Sequence, residues 1–181
     1  MTCSNLLFIH IPKTGGQSVF SVINDNWKRS VPCQHDPLFV LENNNRISKQ
    51  TYKFCVSRNP YTRTYSYYRH FLVQHPEYHN WNFERFLCSI KNKIFFPKTP
   101  MILYPQSFYV LNSRGEVDVN VFEYENIDRM KKELNLNLPH LNRGSYSKTN
   151  YYTAYTPQNI KTVKEIYRID FETFGYSLDF S

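Results

Sequence analysis

The chain has 181 residues, with 22 Lys and Arg against 15 Asp and Glu, a net charge of +7 at pH 7, and 17% aromatic residues. The aromatic content and the modest 20% of charged residues exclude a disordered chain, and no apolar run approaches the roughly 20 residues of a membrane span. The basic balance points to an anionic partner: nucleic acid, nucleotide, phosphate or sulfate.

Leu6 to Ile11 reads as a short apolar strand, of the kind buried on both faces of a parallel sheet. Pro12 to Gly16 interrupts it. Only five glycines occur in the chain, and two of them, Gly15 and Gly16, are adjacent here. Gln17 to about Trp27 then reads as a helix, with Val19, Val22, Ile23 and Trp27 on one face. Strand, glycine turn, helix is the opening of an α/β nucleotide-binding fold.

Lys28 to Pro37 is irregular and basic, Leu38 to Asn43 makes one or two helical turns, and Asn43 to Asn45 is a polar turn. Tyr52 to Ser57 is a second strand. Asn59 is a good N-cap and Pro60 a good first helical residue, opening a helix that runs to about Gln74. Trp81 to Ile90 is a further helix. Residues 91–105 hold three prolines and read as a loop. Val117 to Phe122 alternates like a strand, and Asn126 is placed to cap a helix through Leu134. Pro139 to Asn150 is polar and reads as a loop. Thr156-Pro157 opens a last helix with Ile160, Val163, Tyr167 and Phe171 on one face, and Gly175 closes it. No repeat or linker breaks the chain, so residues 1–181 are expected to form one α/β domain.

Two places carry chemistry. Pro12-Lys13-Thr14-Gly15-Gly16-Gln17-Ser18 lies between a strand and a helix N-terminus. Glycines there allow a close approach to an anion, helix amides favour a phosphate, Lys13 adds charge, and Thr14 and Ser18 add hydroxyls. A plain strand–helix turn explains the same residues. The GxxxxGK[ST] pattern is absent, because Lys13 precedes the glycines. The second place is Arg58, at the carboxyl end of a strand, where α/β folds hold ligands. With Ser66 in the next helix, its forked guanidinium suits a phosphate.

Phe8-Ile9-His10-Ile11-Pro12-Lys13-Thr14-Gly15-Gly16-Gln17-Ser18 resembles the 5′-phosphosulfate loop of sulfotransferases that use 3′-phosphoadenosine 5′-phosphosulfate (PAPS). The branch it looks most like is the carbohydrate branch related to heparan sulfate 2-O-sulfotransferase. Cys55-Val56-Ser57-Arg58-Asn59-Pro60-Tyr61-Thr62-Arg63, with Ser66 and Tyr68, is similar to that family's 3′-phosphate motif. Phe122 to Ile127, Leu138 to Asn142 and Ile166 to Tyr176 follow in the family's order, so the likeness extends over about residues 6–176.

The resemblance implies a P-loop-like three-layer sandwich, with a mostly parallel sheet flanked by helices. It implies that Lys13, Thr14, Gly15, Gly16, Gln17 and Ser18 hold the 5′-phosphosulfate. Arg58 and Ser66 hold the 3′-phosphate, and Arg143, Ser147 and Lys148 complete the nucleotide pocket. The reaction moves a sulfuryl group to an acceptor hydroxyl, first of all on a carbohydrate, with a tyrosine or small alcohol left open. Lys13 stabilises the leaving phosphate. His35, in Gln34-His35-Asp36-Pro37, stands where the family places its general base, a task that suits histidine near neutral pH. No metal is required by this chemistry, and no ligand cluster is visible in the sequence.

His10 reads as structural and His140 as a packing or loop residue. His70, His75 and His79 are too loosely spaced for a metal. The tyrosines of 61–68 and Tyr151-Tyr152 read as half-buried core, with base stacking as the alternative. Lys131-Lys132 and Lys161/Lys164 read as solvated helix faces. The four cysteines form no CxxC pair, no Asn-X-Ser/Thr occurs, and the start lacks a basic leader. These point to reduced thiols in a cytoplasmic protein of a bacterium or virus, with disulfides as the other case. Two rival readings are an ATP-using phosphotransferase, disfavoured by the missing Walker glycines, and a nucleic-acid-binding domain, disfavoured by the scattered basic residues.

Overall fold

The computed structural model describes residues 6–23, 35–43, 47, 51–92, 103–139 and 148–180, with 148–150 as backbone. The chain divides into two compact units, each assembled from separate stretches. The first takes in Met1–Arg58 and Pro105–Arg143, the second Asn59–Tyr104 and Gly144–Ser181.

The first unit is an α/β structure around a three-stranded parallel sheet. Its strands are β1 (Leu6–Ile9), β2 (Tyr52–Ser57) and β3 (Asn120–Glu123), in the order β1-β2-β3. Leu6 lies opposite Tyr52 and Ile9 opposite Cys55. Phe54 lies opposite Asn120 and Ser57 opposite Glu123. All four residues of β1 are buried, as a strand covered on both faces requires. On one face, Phe8, Phe54, Val56 and Phe122 meet Val19 and Phe20 of α1 (Gly16–Phe20). Met130 and Leu134 of a later helix join the same cluster. Two further short helices, α2 (Leu38–Asn43) and α5 (Gln106–Val110), meet through the edge-to-face pair Phe39–Phe108. The later helix is α6 (Ile127–Leu134), which ends at Asn135 in the left-handed conformation.

The second unit is helical. It contains α3 (Pro60–Gln74), α4 (Phe83–Lys91), α7 (Lys148–Ala154) and α8 (Pro157–Phe174). Its core is aromatic: Tyr61, Tyr65, Phe83, Phe86, Tyr155 and Phe171 are all buried there. Buried phenols need acceptors. Tyr155 donates to the Tyr61 carbonyl at 2.8 Å and Tyr61 to the Leu178 carbonyl at 2.7 Å. Arg63 and Asp170 form a buried ion pair at 3.8 Å between α3 and α8, and Arg63 also donates to the Tyr104 carbonyl.

Several boundaries differ from the sequence reading. The first helix, expected to reach Trp27, ends at Phe20, and residues 24–27 lie outside the described residues. Ser21 Oγ donates to the Ser18 carbonyl, a local bond that competes with helix continuation. α4 starts at Phe83 because Asn82 accepts from the Arg85 amide. β3 is shorter than expected and sits at 120–123. Val117 instead bridges Leu111 across a turn at Gly115. α7 occupies 148–154, where polarity predicted a loop to Asn150, because Tyr151 and Tyr155 are drawn into the aromatic core. Among the described residues no helix is long and apolar enough to cross a membrane.

Candidate anion site at the carboxyl ends of the strands

All three strands of the first unit leave the sheet at the same end, because they are parallel. β1 runs into His10-Ile11-Pro12-Lys13, β2 into Arg58, and β3 into Tyr124. In open parallel sheets this is the end at which ligands bind.

The loop after β1 is tightly made. Thr14 is buried, and its hydroxyl donates to the Ile11 carbonyl at 2.8 Å. The proton that the sequence reading offered to an anion is thus used to close the turn. Lys13 adopts φ 68° and Gly15 φ 83°, both left-handed. Glycine takes that conformation freely, whereas for lysine it costs about 1–3 kcal/mol. Strain of this kind concentrates at functional sites.

The adjacent glycines have separate causes. A Cβ on Gly15 would stand 2.9 Å from the ring of Tyr124. One on Gly16 would stand 2.0 Å from the imidazole of His10. Two rings therefore close on the turn, and only glycine admits both. The Ser18 amide donates to the Gly15 carbonyl at 3.2 Å, and Gln17 is exposed at the head of α1. With only five residues, α1 adds a shorter dipole than a helix to Trp27 would.

Arg58 meets this loop. Its Nη1 donates to the Lys13 carbonyl at 3.2 Å, and its guanidinium lies 4.5 Å from the Tyr124 ring centroid. Gln106, fully buried, holds the Arg58 backbone from both sides. It accepts from the amide at 2.9 Å and donates to the carbonyl at 2.8 Å. Burial, and then the nearby Arg58 charge, lower the Lys13 amine to about 8. Two cations thus converge on one loop.

His35 packs against His10, the residue that follows β1. Its Nδ1 lies 3.1 Å from the His10 carbonyl, and the two imidazole centroids are 4.3 Å apart. A carbonyl only accepts, so Nδ1 carries the proton and donates. In the neutral ring Nε2 then holds the lone pair. Burial lowers the His35 pKa from its ordinary value, while the bond to His10 and the Asp36 charge pull the other way. The group is therefore mainly neutral at pH 7, as a base must be.

Comparisons with protein-family models, with curated proteins and with solved structures each return no match.

Of the residues singled out in the sequence, Lys13 to Ser18, Arg58 and His35 all belong to the first unit. Ser66 is carried by α3 of the second unit, half-buried. Arg143 and Ser147 lie outside the described residues, as does the Lys148 side chain. Sequence reasoning assigned no site role to Tyr124, Gln106 or His10. Tyr124 was within reach, because it follows β3 directly, as Arg58 follows β2. Gln106 gave no signal, since its role depends on a short helix, α5, for which the sequence offered no prediction.

Proposed function

We propose that this chain is a PAPS-dependent O-sulfotransferase with a P-loop-like three-layer architecture, acting on hydroxyl groups of a carbohydrate. The observation that carries the reading is the meeting of Lys13, the Gly15–Gly16 turn and Arg58 at the carboxyl ends of adjacent parallel strands. The resemblance in the sequence assigns the same residues to an anionic nucleotide. The donor set fits such a group, because two cations and a glycine turn favour a multiply charged ligand.

PAPS supplies, when bound, a sulfuryl group attached to a phosphate leaving group. The protein's tasks are then positioning and charge. Lys13, cationic at neutral pH, offsets negative charge on the departing phosphate oxygen. Arg58 binds a phosphate through its forked N–H groups. His35 accepts the acceptor hydroxyl's proton at Nε2, while its Nδ1–H bond to the His10 carbonyl holds the ring in that tautomer. The surplus positive charge serves an anionic nucleotide and an acidic acceptor in place of nucleic acid. The setting is the cytoplasm of a bacterium or an infected host cell, where Cys55 and Cys88, both unbridged, stay reduced.

Thermal unfolding with adenosine 3′,5′-bisphosphate, ATP–Mg²⁺ and oligonucleotides side by side tests this reading. A ligand at 100 times its Kd stabilises by about 2.7 kcal/mol. The bisphosphate raises Tm and the other two leave it in place. A shift with ATP–Mg²⁺ or oligonucleotide alone contradicts the proposal.

A further inference from the structure

We propose that His10 is a positioning residue, whose imidazole is a spacer that fixes His35 at a set distance from the glycine turn of the anion site. The inference rests on the sulfuryl-transfer reading, in which the turn at Gly16 holds the anion and His35 takes the proton. The carbonyl of His10 selects the tautomer of His35. The side chain of His10 has the separate task of holding the His35 ring against that carbonyl.

The His10 ring is confined by its neighbours. It is only 4% exposed. Phe8 stacks along it at 5.5 Å, and Phe20 meets it edge to face at 4.9 Å. Both phenylalanines belong to the buried cluster on the sheet, so the ring has no room to retreat. Its Cδ2–Nε2 edge is turned to Gly16, where a Cβ would stand 2.0 Å from either atom. The His35 imidazole packs on the same ring, with centroids 4.3 Å apart and planes tilted by 43°. The glycine turn and the base therefore touch one ring, and that ring sets how far apart they stand.

Transfer depends on such a distance. A misplacement of about 1 Å costs about 10²-fold in rate. With the His10 ring removed, the His10 carbonyl is still present as an acceptor. His35 then lacks the surface that aims Nδ1 at it. The ring turns into the vacated space, and protons occupy Nδ1 in some molecules and Nε2 in others.

Nitrogen-15 NMR of the whole chain labelled at histidine, at a pH where the ring is neutral, reads this directly. The His35 signals are identified by their loss in His35→Gln. The wild type shows one tautomer, protonated at Nδ1. His10→Ala shows a mixture of the two, with kcat lower by about 10²-fold and a Kd for adenosine 3′,5′-bisphosphate close to that of the wild type. His10→Phe, which keeps a flat ring, restores the single tautomer and most of kcat. A single Nδ1–H tautomer in His10→Ala overturns the proposal, and so does a mixture in His10→Phe equal to that in His10→Ala. If neither variant folds, the wild type decides: a nuclear Overhauser contact between the His10 and His35 ring protons supports the spacer, and its absence overturns it. Mixed tautomers in His10→Ala, with no thermal shift of the wild type from the bisphosphate, keep the spacer and remove the nucleotide reading. A thermal shift with one tautomer in His10→Ala does the reverse.

Discussion

His35 donates its Nδ1–H to the carbonyl oxygen of His10 at 3.1 Å, and this bond decides which nitrogen is left to act. A backbone carbonyl cannot donate, so the tautomer is settled by the end of β1 and not by the loop that carries His35. If Nε2 is the base, His35→Gln removes proton transfer but not the cations of the anion site. Turnover falls by about 10²–10⁴-fold. Calorimetric titration with adenosine 3′,5′-bisphosphate gives a Kd close to that of the wild type. Full activity in His35→Gln ends the assignment.

The two lowered pKa values give opposite limbs to the pH profile of kcat/KM, which reports the free protein's groups. His35 must be unprotonated, so activity is lost as pH falls through its pKa, which lies below 6.5. Lys13 must be protonated, so activity is lost as pH rises through about 8. A bell with its maximum between these limits is expected. A rate that keeps rising past pH 9 rules out the charged-lysine role.

Gly16→Ala places a methyl group 2.0 Å from the His10 ring. The ring must shift, at a cost of about 1–3 kcal/mol for overpacking. Thermal unfolding reads this as a lower Tm. The double variant Gly16→Ala/His10→Ala recovers part of the loss, because the obstructing ring is gone. Equal Tm values for Gly16→Ala and the wild type contradict the packing described.

The second unit depends on its buried charges. Arg63→Met leaves Asp170 buried without the guanidinium it faces. Urea unfolding should show a loss of about 3–5 kcal/mol, most of it regained when Asp170→Leu is added. Additive losses in the double variant go against a coupled pair.

Much of this was legible in the amino-acid sequence, for local reasons. β2 occupies 52–57 as its apolar run predicts. Asn59 caps α3 by accepting from the Tyr61 amide, with Pro60 first in the helix. Thr156 and Gly175 bound α8 as cap and left-handed stop. The missed features depend on distant partners. Asn126 stands at the start of α6 without a side-chain capping bond, behind a 3₁₀ turn over Tyr124–Asn126. Lys13 and Arg58 were visible as charges, but the bond between them needs β1 and β2 to be neighbours. Gly15 and Gly16 stood out as rare residues. The two rings that require them, Tyr124 and His10, were not foreseeable from spacing.

The central claim is sulfuryl transfer from a nucleotide, and radiolabel transfer tests it most directly. Sulfur-35-labelled PAPS is incubated with the chain and a panel of carbohydrate, phenolic and small-alcohol acceptors. The account predicts label on a carbohydrate hydroxyl, lost in Lys13→Ala and in His35→Gln. No label on any acceptor, together with phosphate transfer from ATP–Mg²⁺, would contradict it.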